Sequence, residues 1–144
     1  MTTKTSKTPK KASGVVYRLT APKVLEVDRQ AQIVDYLTVL LAQGRIAWFA
    51  RINGGGTRVK GKGGRDRWLA FYRLWLPGYP KPISKAISDI IGQSSAGWFF
   101  SIEVKQPGED PSTEQDAFLS VVLKARGRAI VATGWNEVRE MFEE

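Results

Sequence analysis

The stretch Gly97-Trp98-Phe99-Phe100-Ser101-Ile102-Glu103-Val104-Lys105 predicts the fold more clearly than any other part of the chain. Its aromatic and β-branched residues are typical of a β-strand, and the Gln106-Pro107-Gly108 segment ends it because Pro-Gly favours a turn. Side chains alternate between the faces of a strand, so Glu103 and Lys105 are expected on one face, with their apolar neighbours in a buried layer behind. An acid and a base would then lie side by side where a strand meets a loop, a common position for catalytic groups.

The composition narrows the possible chemistry. The 144 residues suit one domain, and they include no cysteine and no histidine. These absences exclude disulfides, cysteine nucleophiles, histidine-dependent triads and the usual zinc sites. Carboxylates, lysines and hydroxyls remain, and they favour an oxygen-ligated metal such as Mg²⁺.

The charge of the chain favours a polyanionic partner. The formal net charge is +8 and the isoelectric point is near 9.9. Residues 1–13 carry only positive charges and no apolar periodicity, which predicts a disordered basic arm that either holds phosphates or only solubilises the protein. No apolar stretch approaches the ~20 residues of a membrane helix, and no signal-peptide core follows the first lysines, so we expect a cytoplasmic protein without a membrane partner.

A helix, a strand and a glycine-rich segment are predicted before the central strands. Apolar positions from Leu25 to Gln43 recur at helical spacing, with Gly44 placed to end the helix. Glu26 and Asp28 near its start suit the positive end of the helix dipole, which alone would explain them. The apolar run Ile46 to Ile52 then predicts a strand inside a sheet.

The segment from Asn53 to Arg65 is predicted to be a mobile basic loop. Gly56 to Lys62 fits the spacing of a phosphate-binding P-loop, but Gly63 stands where that motif needs Ser or Thr, so we reject a nucleotide site. The loop is instead expected to contact a nucleic-acid backbone. The residues assigned to this contact are Arg51, Arg58, Lys60, Lys62 and Arg65.

Two further segments lead to the opening strand. Arg67 to Leu76 is aromatic and fits a strand or a short helix, and its aromatic side chains are expected in the core rather than as a base-stacking platform: Trp68, Phe71, Tyr72 and Trp75. Ala86 to Ile91 predicts a strand that turns at residues 93–96 and pairs antiparallel with the opening strand. Asp89 lies among isoleucines there, so its carboxylate needs a compensating partner.

The last part of the chain predicts a helix, a strand and a second helix. Ser112 and Gln115 have the spacing of a capping box, which is by itself a structural reason for the glutamine. The helix runs to Gly127, a strand follows over residues 128–133, and a short helix extends from Trp135 to Phe142. No internal repeat is evident.

The order of these residues resembles the virus-type replication-repair nuclease (VRR-NUC) family of the PD-(D/E)xK nuclease superfamily. Asp89 followed by Glu103-Val104-Lys105 matches the D…(D/E)-x-K motif, with serine before the aspartate where proline is the superfamily form. The resemblance extends from Glu26 to about Phe142. Its other carriers are Glu26-x-x-x-Gln30 with Leu37, Arg51-Ile-Asn53-Gly-Gly, the Ile87 to Gly92 segment, Ser112-x-x-Gln115 and Gly127.

The resemblance implies an α/β restriction-endonuclease-like fold, with a mixed central sheet flanked by helices, over residues 14–144. It implies Asp89 and Glu103 as metal ligands together with the Val104 carbonyl, Lys105 as the catalytic lysine and Gln115 as an accessory residue. Glu26 would be the first-helix acid and a further ligand, a role that Asp28 is close enough to take. Mg²⁺ is the implied cofactor, with Mn²⁺ expected to substitute.

The implied activity is a structure-specific DNA endonuclease, resembling a Holliday-junction resolvase that acts as a homodimer in a bacterial or phage-infected cell. Flap, end-processing and restriction-type nucleases are alternatives, as is a DNA-binding module that does not cut. Each site residue also has a plain structural explanation. Glu103 and Lys105 would form a surface ion pair, Asp89 would start a turn, and Gln115 would cap a helix.

Overall fold

The structure is a computed structural model that describes residues 24–52 and 56–143. The predicted basic arm (residues 1–13) and Asn53 to Gly55 lie outside the described residues. The described part is mixed α/β, as expected, and contains no helix long and apolar enough to cross a membrane. Its elements are α1 (Glu26–Ala42), β1 (Ile46–Arg51), β2 (Gly56–Lys60), β3 (Asp66–Ala70), β4 (Ile90–Ser94), β5 (Phe99–Val104), α2 (Thr113–Lys124), β6 (Arg128–Ala132) and α3 (Trp135–Phe142).

The main sheet has the strand order β1-β4-β5-β6 and is mixed. Strands β1, β4 and β5 are antiparallel neighbours, which confirms the predicted pairing of β4 with the opening strand β5. Strand β6 runs parallel to β5, with Glu103 opposite Val131, and helix α2 makes the crossover that a parallel pair needs.

One face of this sheet, the α1/α3 face, is covered by helices α1 and α3. Strand residues Ile90, Phe100 and Ile102 meet the α1 residues Ile33 and Leu37 there, and all five are fully buried. Phe100 also contacts the rings of two other aromatic residues, in edge-on or tilted arrangements: Trp98 and Phe142. This apolar layer contains Ile102 and Val104, as their alternation with Glu103 and Lys105 predicted.

The opposite face, the α2 face, is covered by α2 and by the non-helical segment 71–89. Leu76, Ala86, Phe118 and Val122 form its apolar part together with half-buried side chains of the strands. Toward the end of β5 the same face becomes polar. The Ser88 and Ser101 hydroxyls are completely buried there and lie 2.7 Å apart in a hydrogen bond.

The glycine-rich segment differs from the prediction. Gly56 to Lys60 is a strand, not a loop, and it pairs antiparallel with β3 to form a separate two-stranded hairpin. The predicted P-loop spacing therefore falls on a strand and the turn that follows it. The pattern of Gly, Lys and Arg did not predict a strand because its stabilisation comes from cross-strand pairing with β3.

The aromatic segment after the hairpin also differs from the prediction. Strand β3 ends at Ala70, and irregular structure follows with a single bridge between Leu74 and Ile83. Trp68, Phe71 and Trp75 are 51%, 62% and 71% exposed, so they do not form the expected core, whereas Tyr72 is half-buried and its hydroxyl accepts a hydrogen bond from Ile87 N at 3.0 Å. Apolar content alone could not indicate that, within residues 24–52 and 56–143, no helix or strand covers these side chains.

The helix and strand ends refine two other predictions. Gly44 takes a left-handed φ of +72° at the end of α1, as expected, but at the end of α2 it is Arg126 that takes φ +66°. Gly127 is required for another reason, since a Cβ there would lie 2.7 Å from Val122 Cγ1. Strand β4 begins at Ile90 rather than Ala86, which leaves Asp89 just before the strand.

Candidate metal centre and active site

Asp89 lies at the point where β1, β4 and β5 meet. Its backbone carbonyl accepts a hydrogen bond from Ile52 N at 2.7 Å, and its Oδ2 accepts one from Val104 N at 2.8 Å. Asp89 precedes the first residue of β4, so its carboxylate, and not a β4 backbone carbonyl, accepts the hydrogen bond from Val104 N of β5. This contact is part of the compensation that the sequence required for a carboxylate among isoleucines.

Glu103 is the most buried acid of the site, with only 1% of its surface exposed. Its Oε1 accepts a hydrogen bond from Gln115 Nε2 at 2.7 Å and lies 3.2 Å from Lys105 Nζ. Its Oε2 has no partner, and it is the single buried side-chain polar atom without one among the described residues. A buried polar atom without a partner costs about 1–3 kcal/mol, and more if charged, so it points to a ligand at this position.

The two carboxyls perturb each other. Burial raises the pKa of Glu103 to about 7, with the nearby Asp89 charge as the second cause and the Lys105 ammonium opposing both. Burial also raises the pKa of Asp89, which is half-buried, whereas the Val104 N–H, Lys105, Arg51 and the Glu103 side chain lower it. A buried and a half-buried acid with raised pKa values at one point are typical of sites where a cation or a reaction supplies the missing compensation.

Lys105 lies on the same face as Glu103, as the strand alternation predicted. Only 18% of its side chain is exposed, so the ion pair with Glu103 differs from the solvent-exposed pair that was the plain structural alternative. The Lys105 backbone N–H donates to Ala132 O at 3.0 Å, which fixes the start of this segment beside β6. The base therefore has a defined position next to both carboxyls.

Gln115 caps α2 and also contacts Glu103. Its backbone N–H donates to Ser112 Oγ at 3.1 Å, and its Oε1 accepts from Ser112 N at 2.8 Å, which confirms the capping box. Its Nε2 remains available for Glu103. The start of α2 is thereby tied directly to the buried acid.

The acids of the first helix lie farther from the pair. Glu26 is the first residue of α1, and its charge contributes to the raised pKa of Glu103, but no hydrogen bond or ion pair joins the two residues. Asp28 is exposed, and its Oδ2 accepts a hydrogen bond from Leu25 N at 3.4 Å, so it acts at the helix start. In residues 24–52 and 56–143 no three or more Asp, Glu, His or Cys side chains are grouped closely enough to hold a metal ion.

The Val104 backbone offers an oxygen on the same side. The N–H and C=O of a strand residue point toward the same neighbouring strand, so the Val104 carbonyl faces the Asp89 side, where its N–H is already bonded. Asp89, Glu103 and this carbonyl thus form a cluster of hard oxygen atoms, in which Asp89 and Glu103 are the side-chain members.

The predicted phosphate contacts lie in two places. Arg51, at the end of β1, is exposed, and its charge lowers the pKa of Asp89, so it belongs to the surroundings of the acid pair. The other four residues are exposed on the hairpin and are not in contact with the acids: Arg58, Lys60, Lys62 and Arg65.

Three contributors to the site were not predicted from the sequence. Arg29 on α1 donates through its guanidinium to Thr133 O at 2.5 Å and to Gln106 Oε1 at 3.4 Å, which joins α1 to the loop after β5. Ser88 and Ser101 place a buried polar pair beside Asp89 and Glu103. Of these three residues, only Ser101 could have been predicted from the sequence, because strand alternation places it on the same face as Glu103 and Lys105.

No family model, curated protein or solved structure gives a significant match to this chain.

Proposed function

We propose that the protein is a metal-dependent DNA endonuclease with a restriction-endonuclease-like fold, related to the VRR-NUC family that its motif resembles. The observation that carries this proposal is the buried, unpartnered Glu103 Oε2 next to Asp89 and Lys105. The element order is helix, strand, hairpin, two strands, helix, strand and helix, with the hairpin in place of the glycine-rich loop that the sequence predicted. An ordinary structural ion pair does not require a second, half-buried acid beside it.

The donor atoms fit Mg²⁺ or Mn²⁺. Asp89, Glu103 and the Val104 carbonyl are hard oxygen ligands, and a cation beside them would offset the cost of burying Glu103 next to a second acid. Glu26 would complete the set if the start of α1 moved toward the pair. When bound, such an ion supplies a water of lowered pKa and stabilises charge on the phosphate group.

The neighbouring side chains have separate tasks in this proposal. Lys105, next to both carboxyls, orients the attacking water or pairs with the charge that develops on a phosphate oxygen. Gln115 holds the Glu103 carboxylate in one orientation through its amide nitrogen, while its amide oxygen anchors the same side chain to the start of α2. The constellation is thus held by α2 and by three strands, which limits its movement.

DNA is the proposed substrate because of the charge of the chain. The net charge of +8 and the exposed cations of the hairpin suit a phosphate backbone. Branched DNA and a homodimer with paired active sites are proposed from the resemblance alone, and a cytoplasmic location is a further part of the proposal. The relative cleavage rates of junction, flap and linear DNA distinguish branched DNA from flap and restriction-type targets.

The test is a cleavage assay on labelled four-way junction, flap and linear DNA with Mg²⁺. Wild type is expected to cut at least one substrate, and Asp89→Asn and Lys105→Ala should each lower the rate about 100- to 1,000-fold. Asp116→Asn is a matched control, because Asp116 is an exposed acid in the first turn of α2 that does not contact the pair. It should cut like wild type.

Two outcomes would remove parts of the proposal. If wild type binds these substrates but cuts none of them with Mg²⁺ or Mn²⁺, the protein is a DNA-binding module without nuclease activity. If Asp89→Asn and Lys105→Ala cut normally, the active site lies elsewhere. Light scattering that detects only monomers at working concentration would end the idea of paired sites.

A further inference from the structure

Two clefts that share lining residues lie between Gln115, at the edge of the candidate active site, and the base of the β2–β3 hairpin; together they are called the groove. Its first part is a cleft of about 570 Å³ that includes Gln115 and Lys85 in its lining. Its second part is a cleft of about 410 Å³ that includes Arg73 and Lys81. Residues Pro82–Ser84 line both clefts, so the two are adjacent. Each volume lies within the range of about 300–1,000 Å³ that is typical of ligand sites.

The lining of this groove is predominantly positive. Lys85, Lys81 and Arg73 contribute three cations, and Glu114 contributes the one carboxylate. The neighbouring segment 56–70 adds to the same charge, with five further Lys or Arg residues and one Asp. A polyanion in the groove would therefore be attracted along its whole length.

Trp68 lies beside the groove in a fixed position. The Lys85 ammonium lies 5.3 Å from the centre of the Trp68 ring, and 51% of the Trp68 surface is exposed. Gly56 on the paired strand makes room for the indole, since a Cβ there would lie only 2.5 Å from Trp68 Nε1. An exposed aromatic ring that is held against backbone loses little conformational entropy when a flat ligand stacks on it.

Lys85 has an unusual backbone. Its φ of +65° is in the left-handed region, which is unfavourable for a residue with a Cβ. The Tyr72 hydroxyl, which accepts from Ile87 N, helps to hold the segment in this arrangement. The loop thereby holds the Lys85 ammonium next to the Trp68 ring. Sites for single-stranded nucleic acid combine cations with aromatic rings in the same way.

We propose that an unpaired DNA strand runs along this groove from the active site to the hairpin, with its phosphates on Lys85, Lys81 and Arg73 and one base stacked on Trp68. The inference rests on the proposed function for the choice of DNA. A second copy of this chain would bring the same positive charges to the groove, which opposes that occupant. A duplex offers no free base face along its length, so the exposed ring favours an unpaired strand.

The test compares the binding of a short labelled single strand and of a blunt duplex of the same sequence, by fluorescence anisotropy in EDTA, where no cleavage occurs. Trp68→Ala should weaken single-strand binding about 5- to 100-fold, the range for one lost base stack, and leave duplex binding unchanged. Trp68→Phe keeps a stacking ring and should retain most of the affinity. Lys85→Ala should lower the salt slope for the single strand by about 0.7.

Trp135→Ala is the matched control. Trp135 is also an exposed tryptophan (38%), but it lies on α3, on the opposite face of the sheet. It should bind both DNA forms like wild type.

Several results would overturn the strand path. Folded Trp68→Ala that binds the single strand like wild type would do so, as would an equal loss in Trp135→Ala. A change in sedimentation of Trp68→Ala without a change in DNA affinity would assign the surface to a second copy, and equal competition by polyglutamate would leave only a charge effect. Absence of cleavage by wild type would instead sink the nuclease proposal and leave these binding results standing.

Discussion

The two faces of the main sheet are built from alternate residues of the same strand and serve different ends. On the α1/α3 face, β5 contributes Phe100, Ile102 and Val104, which are fully buried in an apolar layer. On the α2 face, the same strand contributes Ser101 and Glu103, which are equally buried but polar. Burial alone therefore does not identify a core. The α1/α3 face buries apolar side chains that need no hydrogen bond. The α2 face buries polar side chains that do, and one carboxylate oxygen, Glu103 Oε2, has no hydrogen-bond partner there.

The largest expected effect is on the apolar face. Phe100→Ala removes a fully buried ring that packs against Trp98 and Phe142, so it should lower the free energy of unfolding by about 3–5 kcal/mol, measured by urea denaturation. The cleavage rate per folded molecule should remain near that of wild type at a temperature where the variant is folded. A folded variant that had lost cleavage would show that the two faces are not separable.

The next effect concerns the pH dependence of stability without metal. Glu103 is protonated below pH 4.5 in both folded and unfolded chains, but between 4.5 and about 7 only the unfolded chain releases the proton. Stability is thus fully present below pH 4.5 and falls as pH rises to about 7, by about 3 kcal/mol at about 1.4 kcal/mol for each pH unit. The raised pKa of Asp89 acts in the same direction.

Glu103→Gln isolates this effect. Thermal or urea unfolding in EDTA should show that the variant loses most of the decline between pH 5 and 8 and is more stable than wild type at pH 8. Mg²⁺ should restore part of the stability of wild type at pH 8 and do little for the variant. A wild-type stability that stayed constant over this range would mean that Glu103 titrates normally and that the site has no need of a cation.

A smaller effect is expected from the buried serine pair. Ser101→Ala leaves the Ser88 hydroxyl buried without its partner and should cost about 1–3 kcal/mol of unfolding free energy, whereas the double variant Ser88→Ala/Ser101→Ala should be closer to wild type. This double-mutant cycle measures the interaction energy between the two buried hydroxyls of the α2 face. Additive losses would mean that each hydroxyl has another partner.

The sequence predicted those parts of the fold that depend on local chemistry. The helices, the alternation of β5, the capping box at Ser112 and the pairing of β4 with β5 all follow from spacing or from short-range side-chain geometry, and the structure has them. For the same reason the alternation placed Glu103 and Lys105 on one face, whereas Gln115 was assigned to the site by the resemblance and its contact with Glu103 was not predicted. Lys105 Nζ lies 3.2 Å and Gln115 Nε2 lies 2.7 Å from Glu103 Oε1.

The parts that were wrong or missed depend on distant segments. The β2–β3 hairpin is stabilised by pairing between its strands, and the exposure of Trp75 depends on which surfaces other segments cover. A local sequence pattern therefore predicts neither. Gly92 is a further example. It carried no turn signal, but a Cβ there would lie 2.3 Å from the Phe100 ring, so a small residue is needed for close packing.

The smallest expected effect separates the two roles of Gln115 on the α2 face. Ser112→Ala removes the hydroxyl that caps α2, and Gln115→Ala removes the reciprocal contact, so each should lower the free energy of unfolding by about 1 kcal/mol. Only Gln115→Ala also removes a hydrogen bond to Glu103 Oε1, and it should lower the cleavage rate by about tenfold while Ser112→Ala leaves the rate almost unchanged. The measurement is cleavage under single-turnover conditions beside urea unfolding of the same preparations. Equal rates for the two variants would reduce Gln115 to a helix cap, because the cap is the contribution that both substitutions remove.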